Sequence, residues 1–295
     1  MPGKKKLNLS NRIKKLKDFF FPPDWPTPKL SQLDYEPRFL FVLTPPYSGS
    51  TALSKVLNSA DGSMTLRPDG EGQWLVPGLG KLDRWDPKKY INWDSVEIVW
   101  RNKIRMVEEL VGRVDIVIEK SPPHMIRSEA LMKRFPQNDL IVFNRNPYAN
   151  CASILHRNYS PQKKTEAERI QNLQQLASDW AFRAAWAKRN IDTYNCLNFT
   201  YEEFSNDIES TMKMTIDRIP SLTGVRSDLT IKVKDYPPQK ISNQNSRQIG
   251  KLSMREREAI GLTLRKHEEL LNFFGYTNDW KADIEQGGAI YAPMP

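Results

Sequence analysis

The chain has 295 residues, 39% of them hydrophobic, so it is long enough to bury a substantial core. Its formal net charge is +9, but residues 1–30 carry eight Lys or Arg against two Asp, so the remainder lacks the broad basic surface of a nucleic-acid-binding protein. We therefore expect no nucleic-acid partner. Two cysteines, Cys151 and Cys196, are too few for a disulfide framework and have no metal-type spacing, which predicts a reducing compartment and no metal site.

The amino-terminal segment differs in composition from the rest of the chain. We predict a basic, Pro-rich arm at 1–37, a single α/β domain at 38–280 and a tail at 281–295. The arm has four apolar residues at helical spacing among its basic ones, namely Leu9, Ile13, Leu16 and Phe20. This pattern predicts either weak contact with an anionic membrane or partner surface, or packing on the chain's own domain.

The apolar runs bear on the compartment. None approaches the roughly 20 residues that span a bilayer, and the arm lacks the apolar centre and cleavage site of a signal peptide. We therefore expect a cytoplasmic protein.

Residues 39–53 predict a strand, a phosphate-sized turn and the start of a helix. The turn contains the run Ser48, Gly49, Ser50 and Thr51, which would place backbone N–H groups and hydroxyls at a helix N-terminus, where an anion is favoured. The run is not a Walker A motif, since Ser50 stands where that motif has its lysine, and an ordinary kinase or ATPase is therefore disfavoured. Taken alone, the segment also fits a structural turn that caps a helix.

The elements that follow alternate between helices and strands. Asp94 with Glu97 resembles a capping box that opens a helix to about Leu110. Further strands are predicted at Val114–Glu119, Leu140–Asn144 and Leu197–Tyr201. A long helix is predicted from one apolar face, formed by Ile170, Leu173, Ala177, Trp180, Ala184 and Ala187, and a later helix from a capping box of Ser253 and Glu256. This order predicts a doubly wound α/β fold, with a mainly parallel central sheet flanked by helices and its ligand at the carboxyl ends of the strands.

Two predicted strands end in polar residues that would face the phosphate-sized turn. The second strand leads into Glu119-Lys120-Ser121-Pro122-Pro123-His124, and the third into Asn144-Arg145-Asn146-Pro147, followed by a helix that carries Ser153. With these segments, the chain resembles the sulfotransferases that use 3′-phosphoadenosine 5′-phosphosulfate (PAPS) as donor, from about residue 38 to 275. The resemblance implies the P-loop-like sulfotransferase fold, with 3′-phosphoadenosine 5′-phosphate (PAP) as the nucleotide product.

The resemblance also implies a set of donor-binding residues. Ser48 to Thr51 would hold the 5′-phosphosulfate, while Arg145 and Ser153 keep the eight-residue spacing of the family's 3′-phosphate site. An arginine at a strand end suits this role because its guanidinium binds phosphate through two parallel hydrogen bonds. Tyr201, in a Tyr-Glu-Glu segment, would lie near the adenine.

A late basic segment and one departure complete this comparison. Arg247 and Lys251 resemble the family's loop over the 3′-phosphate, although a solvated basic turn explains either residue alone. The family usually has Lys or Arg directly before its Ser-Gly pair, whereas this chain has Tyr47, which brings a hydroxyl and no cation. Weaker donor binding, slower turnover and lost activity all remain open.

Three residues are candidates for the chemistry. Lys120 resembles the family lysine that approaches the bridging oxygen of the donor, where charge grows as the S–O bond breaks. Glu71 lies in a segment, Arg67 to Gly72, that resembles the one carrying the catalytic glutamate of tyrosylprotein sulfotransferases, and it is the expected general base. His124 is the second candidate base, and it would otherwise hold its loop by hydrogen bonds.

The aromatic residues after Glu71 bear on the acceptor. Four tryptophans crowd this region at irregular spacing, namely Trp74, Trp85, Trp93 and Trp100. They would line an acceptor pocket or belong to the core.

The expected activity is therefore transfer of a sulfuryl group from PAPS to a hydroxyl acceptor, such as a phenol or tyrosine, a sugar or another small alcohol. No metal is required by this chemistry, because a sulfuryl group carries less negative charge than a phosphoryl group. Two alternatives remain open, a P-loop-like small-molecule kinase and a non-catalytic nucleotide-binding protein that uses its arm to contact a membrane or partner.

Overall fold

The computed structural model describes residues 35–232 and 237–281, so the predicted helix of the arm and nearly all of the predicted tail lie outside the described residues. The strands are β1 (Arg38–Leu43), β2 (Ser63–Thr65), β3 (Ile116–Glu119), β4 (Asn138–Asn144), β5 (Leu197–Thr200), β6 (Thr230–Ile231) and β7 (Gln239–Lys240). The helices are α1 (Ser50–Leu57), α2 (Trp93–Val111), α3 (Ser128–Arg134), α4 (Pro147–Asn158), α5 (Glu166–Thr193), α6 (Tyr201–Asn206), α7 (Ile208–Arg218), α8 (Asn245–Ile249), α9 (Met254–Leu264) and α10 (Glu268–Phe273).

The central sheet confirms the predicted fold class. Its five strands run parallel in the order β2-β3-β1-β4-β5, while β6 and β7 form a separate antiparallel pair. Strand β1 occupies the centre and is almost wholly apolar, as expected for a strand that is covered on both faces. The strand order reverses at β1, and this is the point where doubly wound sheets bind their ligands.

Side chains of β1 alternate between two hydrophobic clusters, one on each face of the sheet. Phe39, Phe41 and Leu43 pack into a cluster with residues of α2, α4, α5 and α9. Leu40 and Val42 point to the other face, where α1, α6 and α7 pack. This period-two alternation follows from strand geometry, so a single buried strand anchors both helical layers.

The long helix α5 was predicted by its apolar face, and the structure confirms it. Leu173, Ala177, Trp180 and Ala184 are buried. The helix begins with a capping box of Thr165 and Glu168. The predicted Ser253–Glu256 capping box is likewise present at the start of α9.

The predicted cap of helix α2 was wrong. Asn92 is the N-cap residue, and its side chain accepts a hydrogen bond from the Ser95 N–H at 3.1 Å. Asp94 and Glu97 instead form ion pairs with Arg134 of α3. Both acidic residues thus tie two helices together rather than capping one.

Three strand boundaries differ from the prediction, and the short strands β2, β6 and β7 were not predicted. Strand β4 begins at Asn138, two residues earlier than predicted. Strand β3 begins at Ile116, two residues later than predicted. Strand β5 ends at Thr200, because Thr200 and Glu203 form a capping box that opens α6 at Tyr201. Strand β2 has three residues at the sheet edge, too few to show a periodic pattern. Within the described ranges, no helix is both long and apolar enough to cross a membrane.

Candidate active site

The candidate site lies at the carboxyl edge of the parallel sheet. Phe41 of β1 is in register with Glu119 of β3, and Leu43 with Val142 of β4. The loops that follow these three strands therefore leave the sheet at the same edge. Sequence reasoning predicted this convergence for the segments after all three.

The turn between β1 and α1 has the backbone of an anion-binding loop. Gly49 lies just before α1 with a φ of 84°, in the left-handed region, and no side chain caps the helix N-terminus. A Cβ at this position would lie 2.5 Å from the ring of Tyr201, so only glycine fits. The first N–H groups of α1, beginning with Ser50 and followed by Thr51, thus have no side-chain cap, and a helix N-terminus of this kind favours an anion.

Ser48 is held in place from helix α4. Its side chain is fully buried, and its hydroxyl accepts a hydrogen bond from the Asn150 side-chain amide at 3.3 Å. The same amide donates to the Pro46 carbonyl at 2.8 Å. Asn150 was not predicted as a site residue, and it fixes two points of the turn.

Arg145 links several segments of the site. Its Nε donates to the Asn245 side chain at 2.9 Å, and its Nη1 donates to the Tyr47 carbonyl at 3.0 Å and to the Ser153 hydroxyl at 3.4 Å. The side chain is buried, yet its Nη2 has no hydrogen-bond partner among the described residues. An unsatisfied buried guanidinium N–H is costly, and a bound phosphate oxygen would satisfy it.

Two basic side chains lie around Arg145 without a carboxylate partner in the described parts of the chain. Lys251 donates to Gln248 at 2.9 Å, and Arg247 approaches Gln244 at 3.5 Å. Burial and the neighbouring charges of Arg247 and Arg145 lower the pKa of Lys251. The repulsion indicates that the three cations share one region, and a phosphate there would relieve it.

The Tyr47 side chain points to helix α4, where its hydroxyl contacts Asn158. Its backbone has a φ of 64°, and its hydroxyl donates to the Asn158 side chain at 2.5 Å, at the end of helix α4. Its carbonyl accepts the hydrogen bond from Arg145. The residue therefore joins the turn to α4 through both its side chain and its backbone.

Lys120 and Glu71 form an ion pair at the end of β3. Lys120 Nζ lies 3.1 Å from Glu71 Oε1, and Lys120 is only 2% exposed. The other oxygen, Glu71 Oε2, accepts from the Gln73 side chain and from the Trp74 indole N–H, both at 2.9 Å. The carboxylate is thus fixed by three donors, one of which is a buried ammonium group.

Glycine allows the Glu71 loop to approach Lys120. Gly70 has a φ of 81°, and its carbonyl accepts from the Lys120 N–H at 2.8 Å. A Cβ on Gly70 would lie 2.7 Å from the Ser54 hydroxyl of helix α1. The loop is therefore wedged between the donor-loop helix and the end of β3.

His124 is enclosed behind this pair. Its Nε2 lies 3.1 Å from Glu119 Oε1, and its ring packs edge-on against Trp100. Glu119 is fully buried, and its second oxygen accepts from the Gly72 N–H at 2.8 Å. This arrangement suits a histidine that supports the Glu71 loop, because His124 itself is 1% exposed.

Tyr201 connects the turn before α1 with Arg145. Its ring packs against Gly49 on one side, and the Arg145 guanidinium lies 4.2 Å from the ring centroid. Its hydroxyl donates to the Ser242 carbonyl and accepts from the Gln244 N–H, each at 3.0 Å. The ring therefore packs between the turn at Gly49 and the Arg145 side chain.

Glu202 is a fully buried carboxylate that accepts several hydrogen bonds, and it was not predicted as a site residue. It accepts from the Asn146 N–H at 3.0 Å, from the Asn245 side chain at 2.5 Å and from the Tyr276 hydroxyl at 3.1 Å. Burial raises its pKa. The Tyr-Glu-Glu segment that contains it could have identified Glu202 as a site residue. No sequence pattern pointed to Asn245.

The four tryptophans divide between the site and the core. Trp100 is fully buried and donates to the Gly72 carbonyl at 3.2 Å, so of the two predicted possibilities it belongs to the core. Trp85 and Trp93 are partly buried against the core. Trp74 is 45% exposed beside Glu71, in a position to contact an acceptor.

Comparisons with known proteins bear on the family and the fold of the chain. A sequence model of a family described as the sulfotransferase family matches residues 37–219. A sulfotransferase, STF9, from Mycobacterium avium superposes with a TM-score of 0.51 at 13% identity, covering 82% of this chain and 78% of that chain. A sulfotransferase from Alicyclobacillus acidocaldarius superposes with a TM-score of 0.50 at 15% identity, covering 82% and 97%. These likenesses show the fold, and no curated protein matches the sequence.

Proposed function

Because the chain belongs to the sulfotransferase family, we propose that it transfers a sulfuryl group from PAPS to a hydroxyl acceptor by in-line displacement. The observation that carries this proposal is the contact between Lys120 and Glu71, a buried ammonium group 3.1 Å from a carboxylate at the carboxyl edge of the sheet. Such a pair offers a cation for the departing oxygen and a base for the attacking hydroxyl.

The donor-binding part of the proposal rests on two anion sites. The uncapped N-terminus of α1, with Ser48, Gly49, Ser50 and Thr51, suits the 5′-phosphosulfate. The unsatisfied Nη2 of Arg145, with Ser153, Arg247 and Lys251 nearby, suits the 3′-phosphate. Tyr201 lies between the two sites and is the proposed neighbour of the adenosine.

The catalytic part assigns one role to each side chain. PAPS supplies the sulfuryl group when it is bound. Lys120 stabilises the negative charge that develops on the bridging oxygen, and because its ammonium group is already fixed, it stabilises the transition state without reorganisation. Glu71 accepts the proton of the acceptor hydroxyl. His124 remains the alternative base, although its enclosure beside Glu119 favours a supporting role.

The non-catalytic alternative keeps one specific point of support. Tyr47 offers no cation to the donor loop, and its hydroxyl is engaged by Asn158.

Calorimetric titration with PAP and with ATP·Mg²⁺ tests the donor assignment. We expect binding of PAP that does not need Mg²⁺; binding of ATP·Mg²⁺ alone would favour the kinase alternative.

A further inference from the structure

A second group of arginines surrounds the 3₁₀ turn Leu82–Trp85, apart from the proposed donor site. Arg127 donates through Nη2 to the Arg84 carbonyl at 2.5 Å. The Arg183 guanidinium lies 4.8 Å from the Trp85 ring centroid. We call Arg84, Arg127 and Arg183 the arginine cluster.

Arg183 has two buried donor atoms without a partner in the described parts of the chain, the most of the three arginines. It lies on helix α5 and is 8% exposed. Asp179 accepts from its Nη2 at 3.1 Å, but Nε and Nη1 have no partner among the described residues. Nη1 carries two N–H groups and can donate to a carboxylate, phosphate or sulfate group, whereas Nε–H points to the opposite edge of the guanidinium, which it shares with Nη2.

Arg127, which donates a hydrogen bond to the same turn, also has a buried donor atom that lacks a partner in the described chain. It is 7% exposed, and its Nη1 has no hydrogen-bond partner within the described ranges. Burial lowers its pKa to about 10, an effect that the charges of Asp83 and Asp86 only partly oppose. It therefore remains a cation at neutral pH.

The local charge balance leaves the cluster positive. Arg84 has no carboxylate within ion-pair distance in the described chain, and its Nη1 approaches only the Gly80 carbonyl, at 3.4 Å. Burial lowers the pKa of Arg183, and repulsion from Arg84 lowers it slightly further. The partner Asp179 opposes this shift. Cys151 adds no negative charge, because burial raises its pKa to about 12.

The cluster connects to the acceptor side of the site rather than to the donor loop. The Arg84 guanidinium lies 5.5 Å from the Trp74 ring centroid, and the Trp74 indole N–H donates to Glu71. A molecule whose hydroxyl approaches Glu71 and that packs on Trp74 would therefore lie beside Arg84.

We propose that Arg183, together with Arg84, binds an anionic group carried by the acceptor, so that the preferred acceptors combine a hydroxyl with a carboxylate, phosphate or sulfate. The inference rests on the proposed function for the identity of the reaction. The unsatisfied buried N–H groups of Arg183 are its independent support, because such groups are rare unless a ligand or water satisfies them.

Inorganic sulfate tests the anion site without any assumption about acceptor shape. With saturating PAP present, about 20 mM sulfate, enough to nearly saturate a millimolar site, should raise the Tm of the native protein above that in chloride of equal ionic strength. Arg183→Gln should lose this shift. Arg84→Gln, at a half-buried position, should reduce it and serves if Arg183→Gln does not fold.

The matched control is Arg189→Gln. Arg189 is an exposed arginine on the same helix that also packs on a tryptophan, Trp186, but it lies outside the cluster. This variant should keep the native sulfate shift. Equal shifts in all four proteins, or no shift in the native protein, would overturn the site.

Paired acceptors then distinguish an acceptor-borne anion from a free one. Hydroxy acids of several lengths are compared with the corresponding amides in a PAPS assay. The native enzyme and Arg189→Gln should prefer the acids by at least about tenfold in kcat/KM, which is 1.4 kcal/mol, and the ratio should fall towards one in Arg183→Gln. A ratio of one in the native enzyme would overturn the acceptor assignment. Absent PAP binding would instead count against the proposed function, and the sulfate shifts would still decide the anion site.

Discussion

Lys120 Nζ lies 3.1 Å from Glu71 Oε1, so the proposed cation and the proposed base touch each other at the end of β3. The contact is reinforced through the backbone, since the Lys120 N–H donates to the Gly70 carbonyl at 2.8 Å. A change in one residue should therefore alter the position of the other. The predictions below separate their contributions by measuring turnover and nucleotide binding independently.

Lys120→Ala should lower kcat by about 10²–10³-fold, as expected when a preorganised electrostatic group is removed. PAP affinity should change much less, because the ammonium group acts mainly on charge that develops during the reaction. Steady-state kinetics and PAP calorimetry measure the two effects. Lys55→Ala is the control, since Lys55 lies on α1 but donates to the Lys232 carbonyl. A Lys120→Ala enzyme with native kcat would remove this residue from the mechanism.

Glu71→Gln should abolish most turnover while PAP binding stays intact, because the amide cannot accept the acceptor proton. His124→Asn should retain measurable activity, since His124 faces Glu119 in the interior. Both variants are assayed for kcat and for PAP affinity. Native turnover by Glu71→Gln together with an inactive His124→Asn enzyme would show that the histidine is the base.

Arg145→Ala should weaken PAP binding by about 2–4 kcal/mol, the loss typical of a buried charged contact. Affinity for adenosine 5′-phosphosulfate, which lacks the 3′-phosphate, should change far less. Calorimetry with both nucleotides makes the comparison, with Arg105→Ala, in an exposed position on α2, as the control. Equal losses for the two nucleotides would show that Arg145 acts by holding Tyr47 and Asn245 rather than by binding the phosphate.

Lys251 should make PAP binding sensitive to alkaline pH. Burial, with Arg247 and Arg145, lowers its pKa in the free protein, and a bound 3′-phosphate favours the protonated form. Raising the pH through this lowered pKa, below the ordinary lysine value of about 10.4, should therefore weaken PAP binding.

Lys251→Gln should bind PAP more weakly at neutral pH and with a flatter pH profile. The measurement is the PAP Kd at several values between neutral pH and the ordinary lysine range. Lys266→Gln, in an exposed position, is the control and should follow the native profile. A native profile as flat as that of Lys251→Gln would contradict the placement of Lys251 near the phosphate.

Most of the architecture was predictable because it follows from local patterns. The alternation of buried residues in β1 and the apolar face of α5 are properties of short sequence windows. The convergence of Lys120 and Arg145 followed from the rule that parallel strands end at one edge of the sheet. Strand β2 was not predicted, because three residues are too few to show a periodic hydrophobic pattern.

The supporting contacts were not predictable, because they depend on pairs far apart in the sequence. Glu119 binds the Gly72 N–H across 47 positions, and Asn245 binds Arg145 across 100. No local pattern distinguishes such a buried carboxylate or amide from an exposed one. The cap of α2 shows the same limit at short range. Asn92 and Asp94 are both good N-cap residues, but Asp94 forms an ion pair with Arg134 and Asn92 caps the helix.

Transfer of label from [³⁵S]PAPS, measured in the presence of a chelator, tests the central claim most directly. Phenol, tyrosyl peptide, sugar and alcohol acceptors, including hydroxy acids, are offered to the native protein, Lys120→Ala and Glu71→Gln. We predict PAP release matched by a sulfated product with the native protein, and loss of most of that product in both variants. PAP binding without transfer to any acceptor, or phosphoryl transfer from ATP that requires Mg²⁺, would contradict the assignment.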